Sequence, residues 1–306
     1  MTASEAPRVL VIGEALIDIV DGVEIVGGSP SNVALGLGRL GVPVDLLTAL
    51  AHDQRGERIR AHLQESGVRV LPESFSLERT STARAKIRAD GSADYEFDVT
   101  WQVPSVDVAH YDVVHVGSVG CFLKPGASTV LDLIRAARQA GARITFDPNV
   151  RPALSGPSDP ALRAEQITRT SSAVKMSDED AQVLYPGATL EGVAARLHEF
   201  GVELVAITRG GDGSLLSTQV GTASVSAPRV DVVDTVGAGD TYMAALVASL
   251  LVEKDWSLDS DGLVRLGEFC ARAAAMTVGR SGADLPTWKE LGLRRSQRES
   301  TASGNS

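Results

Sequence analysis

Cysteine is nearly absent from this chain: Cys121 and Cys270 are the only two, far apart and outside any Cys-x-x-Cys spacing. That speaks against a disulfide framework or a cysteine-based zinc site, and both thiols are expected as reduced core residues. The five histidines are scattered, with no ligand spacing such as His-x-x-x-His. Aromatic residues amount to only 4%, while Ala, Val, Leu and Gly abound. This balance suits helices packed on a buried sheet better than an aromatic-rich sandwich. Positive charge is also in short supply: 29 Lys and Arg stand against 39 Asp and Glu, a formal net charge of -10. A nucleic-acid partner, which needs a basic face, is therefore not expected. An anionic small ligand stays open, because a local pocket can be positive on an acidic protein. No run of 18 apolar residues occurs, and Met1 to Pro7 lacks a basic-then-apolar leader. The expectation is a soluble cytoplasmic protein with no membrane partner. Residues 1–7 and the polar, Ser/Thr-rich residues 293–306 are expected to be disordered.

What is present is an alternation of short apolar runs with helical patterns. Val9–Ile12, Asp45–Thr48, Val113–Val116, Arg143–Phe146 and Leu204–Thr208 read as buried parallel strands. Ser31–Leu40, Gly56–Glu65, Ala127–Ala140 and Leu190–Phe200 read as the helices between them. The pattern predicts an α/β fold, a doubly wound, mostly parallel sheet with helices on both faces. Ligands on such sheets sit beyond the carboxyl ends of the strands. Two stretches depart from the rhythm. Leu16–Val26 and Thr80–Val103 alternate apolar and polar residues, and the second carries Asp90–Gly91, a hairpin signal. Together they read as a small antiparallel lid, formed by about residues 16–26 and 78–103 of a domain spanning 8–292. An antiparallel edge on the main sheet is the alternative.

Asp234–Thr235–Val236–Gly237–Ala238–Gly239–Asp240–Thr241 follows an apolar segment and precedes the helical stretch Tyr242–Glu253. Gly237, Ala238 and Gly239 can expose backbone N–H groups at a helix N-terminus, where the dipole favours an anion. Asp240, in the first turn beside them, can accept the proton of an attacking hydroxyl while the N–H groups stabilise a transferring phosphoryl group. A plain Asp-capped helix after a glycine turn is the bland account of the same residues.

This run resembles the second signature of the ribokinase-like (PfkB) carbohydrate kinase family. The first signature is similar to Gly27–Gly28–Ser29–Pro30–Ser31–Asn32–Val33–Ala34, with Gly41 and Gly56 at the expected distances. Further similarity runs through Gly13–Asp18, Asp147–Pro148–Asn149, Thr208–Gly213 and Gly282–Ala283, so the resemblance covers roughly residues 8 to 290. It implies an ATP-dependent sugar kinase of ribokinase-like fold, with Asp240 as base and Gly237, Ala238 and Gly239 as anion hole. It implies sugar contacts at Asp18, Gly28 and Asn32, and an ATP-flanking loop at Thr208, Gly210 and Gly213. Asp234 and the carbonyl of Val236, with Gly279 and Gly282, match the family's monovalent cation site, with K+ the expected ion. The lid is implied to close over the sugar and to form a homodimer interface. Ser177 and Asp180 stand where the family has the Asn and Glu of a motif linked to magnesium and phosphate. A helix N-cap with an acidic first turn accounts for Ser177–Asp180 equally well. Ala51 stands where the first signature normally has glycine.

For the sugar, Phe146–Arg151 resembles a segment of fructokinases and of 2-keto-3-deoxygluconate kinases, and Asp90–Phe97 resembles the fructokinase lid. Asn149, Arg151, Arg88 and Phe97 are the candidate contacts; Arg151 suits a substrate carboxylate or an ATP phosphate, or is a plain loop arginine. Fructose, phosphorylated on a primary hydroxyl, is the first expectation, ahead of deoxygluconate, ribose and nucleosides. A non-catalytic sugar or nucleotide sensor on the same fold is the alternative from another class. Gly36–Leu37–Gly38–Arg39–Leu40–Gly41 fits G-x-G-x-x-G, but it continues a helical pattern instead of leaving a strand, so a dinucleotide site is not expected.

Overall fold

The computed structural model describes residues 7–87, 93–151, 160–253 and 255–292. Arg88, the Asp90–Gly91 pair and the terminal segments 1–6 and 293–306 lie outside the described residues. The chain runs β1 (Val9–Ile12), β2 (Leu16–Val20), β3 (Val23–Gly27), α1 (Ser29–Arg39), β4 (Val44–Leu47), α2 (Gln54–Glu65) and β5 (Val68–Val70). It continues with β6 (Thr82–Ile87), β7 (Ala93–Asp98), β8 (Val113–Gly117), α3 (Val119–Phe122), α4 (Gly126–Gln139) and β9 (Arg143–Asp147). Next come α5 (Pro160–Thr168), β10 (Ala173–Ser177), α6 (Asp178–Leu184), α7 (Leu190–Glu199) and β11 (Leu204–Thr208). The last elements are β12 (Ser214–Ser217), β13 (Thr222–Val225), α8 (Ala238–Leu250) and α9 (Ser260–Val278).

Nine strands form one sheet in the order β13-β12-β11-β10-β9-β8-β1-β4-β5. Pairing is parallel from β5 to β11 and antiparallel for β12 and β13. The central strands are apolar on both faces, as Val9 to Ile12 show at zero exposure, because helices cover both sides. One apolar layer joins the sheet to α1, α2, α8 and α9. The other joins it to α3, α4, α5, α6 and α7. Among the described residues no helix is long and apolar enough to cross a membrane.

Helix α8 is apolar almost all round and buried from Asp240 to Val247, between α1 and α9. Gly36 and Gly38 of the G-x-G-x-x-G match serve packing inside α1. A Cβ on Gly36 would lie 2.7 Å from that of Ala244 on α8, and one on Gly38 would lie 2.3 Å from the carbonyl oxygen of Ser66. Cys121 and Cys270 are buried free thiols.

The second sheet has four strands in the order β3-β2-β6-β7. Two antiparallel hairpins are joined by parallel pairing of β2 with β6. Leu16–Val26, expected as one alternating run, is itself a hairpin that turns at Asp21–Gly22, with φ of 49° and 80°. Ile25, Asp18, Ala83 and Phe97 lie opposite one another across the four strands and therefore share a face. The other face buries Ile17 and Ile19 in the main core. Glu24, at the edge, accepts hydrogen bonds from Arg55 and Arg58 of α2.

Candidate active site

Three segments far apart in sequence converge at the carboxyl end of the parallel strands: the β2–β3 hairpin leading into α1, the ends of β9 and β10, and the N-terminus of α8. Gly237 caps α8 in the left-handed region at φ 79°, where a Cβ would strike Ala283. Ala238, Gly239 and Asp240 form its first turn; the Ala238 N–H donates to the Thr235 carbonyl at 3.2 Å, and those of Gly239 and Asp240 have no acceptor within the helix.

Asp240 is buried, and each of its oxygens has a partner from the start of α1. The Ser29 hydroxyl donates to Oδ1 at 2.7 Å, and Asn32 Nδ2 donates to Oδ2 at 2.8 Å. Burial pushes the Asp240 carboxyl above its ordinary range, while Ser29, Asn32, Lys175 and Arg151 pull the other way. A carboxylate so placed can take a proton from a hydroxyl while an anion rests on the helix N-terminus. Ser29 was not among the residues singled out from the sequence, and Asn32, expected only as a sugar contact, also holds the carboxylate. Their partner lies 211 and 208 residues away, so no local pattern reports the contact.

Gly28 precedes α1 at φ 104°, and a Cβ there would lie 2.5 Å from the Glu14 carbonyl oxygen. Asp18, on β2, packs against Gly27, and its carboxyl is pushed up to about 6 by burial, with Arg151 opposing. Glu14 is buried, accepts a hydrogen bond from the Gly120 N–H at 3.0 Å, and is pushed up to about 7, again by burial. Arg151 is exposed, and its charge acts on Glu14, Asp18 and Asp240 together. Asn149 sits at φ 35° in the turn after β9, and Phe97 is half-buried on the small sheet.

On the other side of α8, Thr208 ends β11 and donates to the Met176 carbonyl at 3.3 Å. Gly210 (φ 50°) and Gly213 (φ 93°) shape the tight turn that follows. Asp234 Oδ2 accepts the Gly282 N–H at 2.9 Å and Oδ1 accepts the Val236 N–H at 3.0 Å. Gly279 caps α9 next to Val278, whose carbonyl accepts from Val233 and Asp234. Asp234, Val236, Gly279 and Gly282 are thus gathered into one corner.

Ser177 and Asp180 form a capping box at the start of α6: Asp180 Oδ2 accepts from the Ser177 N–H and hydroxyl, and Ser177 Oγ accepts from the Asp180 N–H. Asp180 Oδ1 accepts the Val150 N–H at 2.8 Å, which ties the Asn149–Arg151 turn to α6. The helix-cap account of Ser177–Asp180 therefore describes their geometry.

The sequence reading passed over a buried ion pair. Lys175 Nζ, on β10, lies 2.9 Å from Asp147 Oδ2 at the end of β9, both side chains being at most 5% exposed. Burial pushes Asp147 up to about 6, against the pull of Lys175. The available signal was a lysine inside an otherwise apolar strand, Ala173–Val174–Lys175–Met176.

Residues 7–290 match the sequence profile described as pfkB family carbohydrate kinase. A fructokinase of Salmonella typhimurium is 32% identical over 307 residues, covering 93% of this chain and 98% of that protein. Among solved structures, a double mutant of the Vibrio cholerae O395 fructokinase, bound to fructose, ADP and a potassium ion, superposes with a TM-score of 0.82. It shares 25% identity and covers 94% of this chain and 97% of its own. The Xylella fastidiosa fructokinase with bound ATP has the same TM-score of 0.82 at 24% identity, over 96% and 99% of the two chains, and shows the fold. Taken with the two signatures and the carboxylate set at the α8 N-terminus, these matches place the chain in the pfkB family of carbohydrate kinases.

Proposed function

We propose that this sugar kinase is a fructokinase, transferring the γ-phosphoryl group of ATP to a primary hydroxyl of fructose. The buried Asp240 carboxylate, held by Ser29 and Asn32 beside the N-terminus of α8, carries the reading. Asp240 takes the hydroxyl proton, and the N–H groups of Gly237, Ala238 and Gly239 face the charge on the transferring phosphoryl group. Asp18, Gly28, Asn32, Asn149 and Arg151 line the sugar side, with Phe97 on the lid. Thr208, Gly210, Gly213 and Ser177 line the nucleotide side.

Two observations support fructose. Fructokinases are among the matched relatives. Three buried or part-buried carboxylates, Glu14, Asp18 and Asp240, face one arginine, which favours a neutral polyol over a sugar acid or a sugar phosphate. The test is ADP release from ATP and magnesium with fructose, ribose, 2-keto-3-deoxygluconate, hexose phosphates and nucleosides. Highest kcat/KM is expected for fructose; a preference for the sugar acid or for ribose would overturn the sugar. Asp18→Ala is expected to raise the KM for fructose by about tenfold or more, the scale of a lost charged hydrogen bond.

The pH dependence has a defined sign. The base works ionised, and the hydrogen bonds from Ser29 and Asn32 lower its pKa against the burial that raises it. Ser29→Ala removes one donor, so the acid limb of kcat/KM is expected to move to higher pH than in the wild type. An unmoved limb would detach Ser29 from the base.

Magnesium enters with ATP. Among the described residues no group of three or more His, Cys, Asp or Glu is placed to hold a metal, which fits an ion carried on the nucleotide phosphates and bound water. Asp180, whose oxygens accept from Val150 and Ser177, is proposed to face the water shell of that ion. The corner of Asp234, Val236, Gly279 and Gly282 is proposed for K+, with higher turnover expected in K+ than in tetramethylammonium. The small sheet exposes Val23 by 60% and Ile25 by 46% on the face that carries Asp18. That surface is proposed to pair with a second copy.

A further inference from the structure

The face of the sheet under α8 is apolar on the flanking strands, where Val9, Val11, Leu204 and Ala206 point into the core. The three strands between them, β8, β9 and β10, instead carry His115, Thr145, Asp147 and Lys175, all buried. His115 Nδ1 lies 3.0 Å from Thr145 Oγ1, and burial followed by the Lys175 charge pushes the imidazole down to about 3, so it is neutral. Of these four buried residues Lys175 is the cation, and its place is specific. A Cβ built on Gly239 would lie 3.0 Å from Lys175 Nζ, so the ammonium rests against the first turn of α8.

A cation at the positive end of a helix is repelled by it, and burying the ammonium adds a desolvation cost. Asp147 offsets both through Oδ2, while its Oδ1 is buried without a hydrogen-bond partner. A buried ion pair replaced by apolar groups of similar volume is often as stable or more so. Packing alone thus gives no reason for a lysine here. An anion seated on the α8 N-terminus does, because the ammonium and the helix dipole then act on it together.

We infer that Lys175 contacts the transferring phosphoryl group of ATP and that Asp147 positions it, a role that rests on the kinase reading of the α8 N-terminus. In the transfer, the bond from phosphorus to the β,γ-bridging oxygen breaks and a bond from the sugar oxygen to phosphorus forms. The hydroxyl proton passes to Asp240, and ADP leaves with the bridging oxygen. Lys175 keeps its proton throughout and faces the non-bridging oxygens, whose charge the N–H groups of α8 meet from the other side.

The test separates the γ-phosphate from the rest of the nucleotide. Calorimetry with magnesium compares ADP with β,γ-methylene ATP on the wild type, Lys175→Met and Lys175→Arg, without any sugar. Lys175→Met is expected to bind ADP within about threefold of the wild type and the methylene analogue at least about tenfold more weakly. Its kcat is expected to fall by about a hundredfold or more with the sugar KM little changed, the scale of losing one charged donor to the transition state. Lys175→Arg is expected to recover part of the analogue affinity. A double variant, Lys175→Met with Asp147→Asn, leaves no uncompensated buried charge and is expected to melt close to the wild type while keeping both losses. Equal weakening of ADP and the analogue, or normal turnover in the double variant, would overturn the inference. Failure of the wild type to phosphorylate fructose, with the analogue contrast intact, would overturn the sugar alone.

Discussion

Asp240→Asn is expected to lower kcat by about a hundredfold or more, the usual scale for a lost general base, with sugar affinity nearly unchanged. The substitution keeps the shape of the side chain and an oxygen able to accept from Ser29 or Asn32, so the site should keep its form. What it removes is the capacity to take a proton inside a buried pocket. Stopped-flow ADP formation and direct fructose binding separate the two effects. Near-normal turnover would remove Asp240 from the role of base, and lost sugar affinity at normal kcat would make it a binding residue.

Gly28→Ala is expected to do comparable damage by another route. The position has φ 104° and ψ 122°, a region costing a side chain about 1–3 kcal/mol. The added Cβ would also lie 2.5 Å from the Glu14 carbonyl oxygen and 3.1 Å from the Ala15 Cα. These are backbone atoms and cannot swing aside, so the turn into α1 has to shift and carry Ser29 and Asn32 with it. The melting temperature is expected to fall by about 3–10 °C, following the usual conversion for domains of this size. The value of kcat/KM is expected to fall more than tenfold. Gly41→Ala is the control: its φ is 75°, but nothing lies within 4 Å of the new Cβ. It should lose stability and keep kcat. Equal kinetic losses in the two variants would show that strain, not the approach to Glu14, governs the site.

The central strands and their helices were legible because parallel strands buried on both faces read as apolar runs. Strand β10 was not, since Lys175 and Ser177 interrupt its run, and the interruption is the chemically informative part. The antiparallel strands β12 and β13 were missed because Ser214, Ser217 and Thr222 leave no strong alternation to detect. In the small sheet, Asp90–Gly91 was read as a turn, whereas the same dipeptide at Asp21–Gly22 was absorbed into a strand. Asp240 and the glycines around it stood out because one continuous segment supplies them. Ser29 and the pairing of Lys175 with Asp147 are tertiary facts, set by which strand ends and helix starts the fold brings together.

The distance in sequence between α1 and α8 has a consequence for synthesis. The residues proposed for the sugar, Asp18, Gly28 and Asn32, leave the ribosome early, and the base comes more than 200 residues later. Until α8 emerges, α1 can pack on the sheet and on α2, but the side of it that α8 covers stays open. A chain released before Asp240 would lack both that cover and the base. Premature termination ahead of α8 should therefore yield aggregates for the cell's quality control instead of a sugar-binding fragment.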